Sequence, residues 1–594
     1  TNAAERLTAR QEILLRLPDA SPAVEHEGFA RLCTLLAEQE PDLHSDLSHA
    51  DWIDAAQLGD LYAKPALGAA AHMVLDLLAQ GWAIRMKGAC PALSPPRAGE
   101  NREAEKARVR AQEHVRRDEQ LRRPSVRRFI QRMEAPRRHG DEFLSVFNLM
   151  RDGDELLRAL DADPSGRTAI RPYVQVVDDS ACAWTGFKLH DIWRYFRHTW
   201  SNAYATVPGR SMPLLIRDAA TRHHAVVGLA AVSSPIVQIA ERDRWMGWET
   251  EAFVEDLRVN PSLKAAEWVA KRISAQQDEV YVADLLADGV IQPRDLIAPT
   301  EQTVADLKAD AERHRRRHHQ STAIRTVRGI ARDDWVARAE TDLFRGKRSA
   351  LLAETLDIRL GLGRFLLPSP TVDGLRGALA DKRARTQLGR LIRRARGERV
   401  GTVVADLTVC GAIAPYNALA GGKLVGCLAV SPRVVSAYRN KYERPSEIAS
   451  AMAGRPIVRE ARLSIIATTS LYGSGSSQYN RLFWRADVVG GHPTDRMGFH
   501  ELGRSQSFGT SHFSDESVEA LVRLSALQDS AVRVNGLFGE GVSPRLRKVR
   551  LGLAALGWPA NDLLKHGRER ILYGVPLVRN LRDYSLGLDP TPDY

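Results

Sequence analysis

Apolar residues fall first at helical spacing. Phe29, Leu32, Leu35 and Leu36 recur at that period, and so do Met73, Leu75, Leu77 and Leu78. This predicts a helical N-terminal region over 1–95, closed by Pro91, Pro95 and Pro96. Residues 96–140 then carry dense charge and few large apolar groups. Arginines such as Arg116, Arg117, Arg127 and Arg128 interleave with Glu103, Glu105, Glu113 and Glu119. The mixture predicts a basic connector helix, read either as a solvated face or as a nucleic-acid arm.

From about 170 the period shortens to two. Tyr173–Val177 reads as a strand, and Leu214–Arg217 with Ala225–Val232 as a β-hairpin. These belong to a first strand-bearing part of the core, 141–235. Helical patterning resumes near Ala252 and holds to about Gly397, best at Lys264–Ile273 and Leu351–Leu362. The segment 236–400 therefore reads as a large helical insertion. A second strand-bearing part, 401–594, follows. Thr402–Cys410 is a buried-strand run, Lys423–Val430 and Pro432–Tyr442 read as helices, and Leu463–Ala467 as the next strand. A Gly/Ser-rich segment, 468–477, leads to an expected helix at Gln478–Trp484. The order strand, loop, helix, strand, Gly-rich loop predicts an α/β (α+β) fold.

Length and composition narrow the picture. At 594 residues the chain is worth about four domain equivalents. Hydrophobic residues at 44% and charged residues at 26% supply a core that needs no staples. That excludes disordered, collagen-like and disulfide-scaffold classes. The five cysteines are odd in number and form no CxxC pair, which predicts reduced thiols in a cytoplasmic setting. Thr1–Arg10 has no apolar core, and the best apolar run, Gly401–Val430, is broken by Asp406, Pro415 and Lys423. Neither export nor membrane insertion is expected. The net charge of +11 fits a polyanionic partner such as DNA.

Two loops carry the candidate chemistry. In the segment 414–424, Asn417, Gly421, Gly422 and Lys423 precede a helix. Free N–H groups and the positive end of the helix dipole make an anion site there. A tight packing turn is the competing reading. The spacing is not that of a Walker A loop. The second loop, Tyr472–Asn480, offers Ser476, Ser477 and Gln478 as ligand donors, and Tyr472 and Tyr479 as acid or base. In a parallel arrangement both loops open on one sheet edge, where ligands of open α/β sheets bind. His512 is a further candidate acid or base. His314 and His318 have i,i+4 spacing but no third ligand, so no metal site is expected. Arg545, Arg547, Lys548 and Arg550 follow Ser543-Pro544, a helix start, and could meet nucleic-acid phosphates.

Several longer stretches resemble the DruA family, components of the prokaryotic Druantia anti-phage defence system. They are 198–204 with Pro208-Gly-Arg210, Arg242–Trp248, Leu407–Ile413, Asn417–Lys423, Ser470–Arg481 and Phe538–Arg547, spread over about 190–580. The resemblance implies antiviral defence, DNA contact and other Druantia proteins, such as a helicase-like partner. It carries over no catalytic residue. The strand order from the hairpin onward is also similar to the acetyl-CoA-binding core of GNAT acyltransferases. Their phosphate loop is Q/R-x-x-G-x-G/A; here Asn417 stands at its first position and Ala420 at its first glycine. This implies a GNAT-like mixed sheet and acetyl-CoA or another phosphate-bearing ligand. The alternative is a non-enzymatic nucleic-acid-binding module that recruits effectors.

Overall fold

The computed structural model describes residues 12–39, 44, 47–88, 90–95, 102–204, 209–320, 330–419, 421–470, 477–508, 513–528 and 544–594. Seven strands form the central sheet: β1 (Pro172–Val176), β2 (Ser211–Asp218), β3 (Ala225–Ser233), β4 (Val404–Ala412), β5 (Ile465–Thr469), β6 (His500–Phe508) and β7 (Lys565–Pro576). Their order is β6-β7-β5-β4-β3-β2-β1. Every neighbouring pair is antiparallel except β4 and β5, which run parallel. The fold is thus mixed α/β, as the element order predicts. β3 is buried along its whole length, because helices cover both faces of the sheet and both must be apolar.

The helices used below are α1 (Ala23–Ala37), α2 (Pro65–Leu78), α3 (Leu189–His198), α4 (Leu263–Asp278), α5 (Glu301–Gln320), α6 (Asp342–Leu366), α7 (Lys382–Val403), α8 (Gly421–Ala429), α9 (Pro432–Tyr442), α10 (Asp515–Gln528) and α11 (Pro544–Ala555). One face of the sheet packs against α3 through Leu215, Val226 and Leu229. The opposite face packs against α8 and α9 through Ala405, Leu407 and Ile466. Two parallel neighbours cannot be joined by a hairpin, so β4 and β5 need the crossover that α8 and α9 supply. Between β3 and β4 the described residues form helices only. Their core reaches the sheet at Val404, Ile465 and Leu572. No helix among the described residues is long and apolar enough to cross a membrane.

The N-terminal region holds α1 and α2 but also strands. Ile13–Leu14, Ala83–Lys87 and Cys90–Ser94 make a three-stranded sheet. Strands this short give too few periods to stand out beside α2. The region's core is completed from far along the chain, by Leu521 and Leu524 of α10 and Val549 and Leu553 of α11. The expected helix at Gln478–Trp484 is absent. Residues 478–481 turn, and Phe483–Arg485 pairs with Arg496–Gly498 as a small hairpin. Arg481 takes φ 57°, which no right-handed helix accommodates.

Candidate functional site

The site lies where the parallel pair separates. β4 and β5 are in register only over Val404–Asp406 and Ile465–Ala467. Beyond that, β4 continues beside β3 to Ala412, while β5 follows β7 until Thr469 meets Leu572. Thr408 is an extra residue on β4: Leu407 faces Val232 and Val409 faces Ala231. A bulge of this kind bends its strand and turns it away from a neighbour. Two side chains span the resulting wedge. Thr468 Oγ1 donates to the Leu407 carbonyl at 2.8 Å. Gln478 Nε2 donates to the Cys410 carbonyl at 2.8 Å.

The first glycine-rich loop and the described end of the second, 477–480, meet at this wedge. α8 starts at Gly421, after a short 3-10 turn, Tyr416–Ala418. A Cβ on Gly421 would sit 2.3 Å from the Tyr416 carbonyl oxygen and 2.5 Å from Ala412 Cβ. A Cβ on Gly422 would sit 2.3 Å from Gln478 Oε1. Both positions therefore need glycine for close approach. Lys423 Nζ donates to the carbonyls of Asn480 at 2.7 Å and Gln478 at 3.4 Å. Its ammonium ties the second loop to the first rather than standing open as a lone cation. Asn417 is exposed on the 3-10 turn. Ser477 Oγ accepts the Tyr479 amide at 3.2 Å and shapes the turn. Ala420, Tyr472, Ser476 and His512 lie outside the described residues.

Tyr479 is the expected acid or base that the structure brings to the wedge. It is buried against Phe499 and Tyr573, with ring centroids 4.9 and 5.7 Å away. Burial holds its phenol far above the ordinary range, so Tyr479 is a hydrogen-bond donor and not a base. Burial also pushes the neighbouring Cys410 thiol up to about 12, which keeps it protonated.

Asp406 was missed by the sequence reading, which met it only as a break in an apolar run. It occupies the last paired position before the wedge opens. Burial raises its carboxyl to about 6, against the opposing charge of Arg242 and a hydrogen bond from the Ile236 amide. That amide bond is 3.1 Å long and goes to Oδ2. Oδ1 is sealed from water and has no hydrogen-bond partner. A carboxyl raised toward neutrality with one unpaired oxygen suits proton acceptance. Arg242 is itself buried, donating to Asp243 at 2.8 Å and to the Ile236 carbonyl at 2.8 Å. An acidic residue inside a buried strand was the available signal, because such a charge is retained only against a large desolvation cost.

The basic helix packs in the N-terminal core and not on the sheet core around the wedge. Arg545 donates to Asp515 Oδ1 and the Phe513 carbonyl, each at 2.7 Å, and so staples α11 to α10. Arg547 and Lys548 are half-buried and Arg550 is exposed, while Val549 faces the core. His314, expected to lack acidic company, lies 2.6 Å from Asp342 Oδ1 and 3.6 Å from Asp310. No cluster of three metal-ligating side chains is found among the described residues.

Fold and site together define an α/β protein built on a mixed sheet whose one parallel pair among the described residues opens beside the glycine-rich start of α8 and residues 477–480. The chain belongs to the DruA family. The family model, described as Druantia protein DruA, matches residues 152–261 and 374–587, more than half of the chain. The matched residues contain all seven strands of the central sheet, Asp406 and Gly421, and the interval between the two matched segments, 262–373, lies within the helical insertion. The Druantia protein DruA of Escherichia coli (strain UMEA 4076-1) is 33% identical over 175 residues, which is 30% of this chain and 39% of that relative. No solved structure matches the chain.

Proposed function

We propose that the chain is a prokaryotic anti-phage defence component whose sheet core binds a phosphate-bearing cofactor, acetyl-CoA foremost, and transfers its acyl group to an amine. The observation that carries this reading is the divergence of β4 from β5 beside the N-terminus of α8. A diverging pair leaves a slot between two strands, and the loop after β4 presents helix N–H groups at its mouth. An extended ligand arm entering the slot takes over the carbonyls of Leu407 and Cys410 from Thr468 and Gln478. Asp406 is the base this reading requires, and Tyr479 donates a hydrogen bond to the departing group. Thermal-shift measurement with acetyl-CoA, CoA and nucleotides tests it. Stabilisation is expected, and Gly422→Asp should abolish it by filling the approach to Gln478. Absence of any shift in the folded wild type removes the cofactor reading.

The defence role follows from family membership. Phage-plating assays with Asp406→Asn connect it to the site: lost protection with intact folding is expected. Co-purification from the native operon tests for other Druantia proteins, a helicase-like partner among them.

A second reading, DNA contact, is favoured by exposed Arg315, Arg316 and Arg317 on α5 and Arg550 on α11. Affinity should fall with salt at a slope near −0.9 per phosphate neutralised. No binding at low salt removes this reading.

A further inference from the structure

A second cavity lies at the other end of β4 from the glycine loops. Gly401 and Thr402, which precede that strand, form part of its wall. Its volume is about 730 Å³, the size of a small-molecule site. Five of its lining residues are Lys or Arg and three are Glu. Two of the acids pair with cations of the same wall, which leaves Arg210, Lys347 and Arg444 against Glu354. Glu279 pairs with Arg459, and Glu398 accepts from both Arg272 and Arg394. Among the described residues Lys347 and Arg444 line the cavity with no ion pair, and Arg394, paired with Glu398 through Nε, keeps a buried Nη1 without a hydrogen-bond partner. Positive charge left uncompensated beside a partly enclosed space favours an anion.

The remaining wall is apolar. Leu351, Ile448 and Met452 contribute it, and Ile448 is 46% exposed in the absence of anything covering it. Glu354 is exposed at the rim and is an acceptor for amino or hydroxyl groups.

We infer that this cavity binds a nucleoside monophosphate, with the phosphate on Lys347, Arg394 and Arg444 and the base on the apolar wall. Neither half of the site alone fits a simple ion or a hydrocarbon; a ligand with one charged end and one flat apolar end satisfies both.

Isothermal titration of the full chain with AMP, adenosine and inorganic phosphate tests the inference. AMP should bind, with adenosine and phosphate each at least tenfold weaker. Lys347→Glu should weaken AMP at least tenfold. Ala350→Trp, at an exposed position on the cavity wall, should abolish binding by occupying the space while leaving the melting temperature unchanged. Gly422→Asp should leave AMP binding intact. No AMP binding at millimolar concentration overturns the inference. So does phosphate binding as tight as AMP, or AMP binding that survives Ala350→Trp and vanishes with Gly422→Asp.

Discussion

At Gly421 and Gly422 neighbouring glycines have different reasons to be glycine. Gly421 faces backbone, the Tyr416 carbonyl, which cannot move without disturbing the 3-10 turn. Gly422 faces the end of a flexible side chain, Gln478. Gly421→Ala should therefore cost about 1–3 kcal/mol through overpacking. Gly422→Ala should cost about 1 kcal/mol, the hydrogen bond that Gln478 loses on rotating away. Urea denaturation of the two variants checks the order; equal losses would show that Gln478 is as rigid as the backbone. Asp406 makes a pH prediction. Unfolded Asp releases its proton near 4, whereas the folded residue holds it to about 6. The folded state is favoured by this group below pH 4, and that advantage disappears as pH rises through 6. Wild-type stability relative to Asp406→Asn should fall across that window. A constant difference from pH 4 to 7 would contradict the raised carboxyl.

At the scale of elements, the wedge is held by three side chains, one each on a helix, a loop and a strand. Lys423 ties the loops, Gln478 reaches β4, and Thr468 bridges β5 to β4. Removing a hydrogen bond of this kind costs about 1 kcal/mol. Gln478→Ala and Lys423→Met should each lower stability by about that amount, and the double variant should lose less than the sum, because both support one loop. Melting curves in a double-mutant cycle measure it; strict additivity would mean that the loops are held independently. That a helix follows β4 near Gly421 and Gly422 was legible in sequence, since strand, glycines and apolar run follow in order, although both glycines lie in its first turn and not ahead of it. The bulge at Thr408 was not legible, because it depends on the register with β3. The small hairpin at Phe483–Arg485 was hidden for the same reason: its partner lies across a loop.

The whole molecule is closed by one buried carboxylate. Asp76 on α2 accepts from the Ser514 amide at 2.7 Å, Ser514 Oγ at 2.9 Å and Ser517 Oγ at 2.5 Å, and lies 3.5 Å from His49 Nε2. It thereby fixes the start of α10 to the N-terminal core. Asp76→Ala leaves those donors and His49 without their acceptor, a loss of about 3–5 kcal/mol. Calorimetry should record an early, separate transition for the region that contains α1, α2, α10 and α11. A single transition at the wild-type temperature would show that the contact carries no load. Local period and turn chemistry determined much of this protein from sequence alone: the hairpin β2–β3, the helices between β3 and β4, and α8 and α9 with the glycines that begin α8. Those features depend on neighbours a few residues away, which a single sequence displays. Tertiary structure alone decided that α10 and α11 finish the N-terminal core, that Arg545 is a staple, and that Asp406 stands where β4 leaves β5. Each depends on which distant segments meet, and burial, not residue type, then sets the charge state and the reach of the side chain.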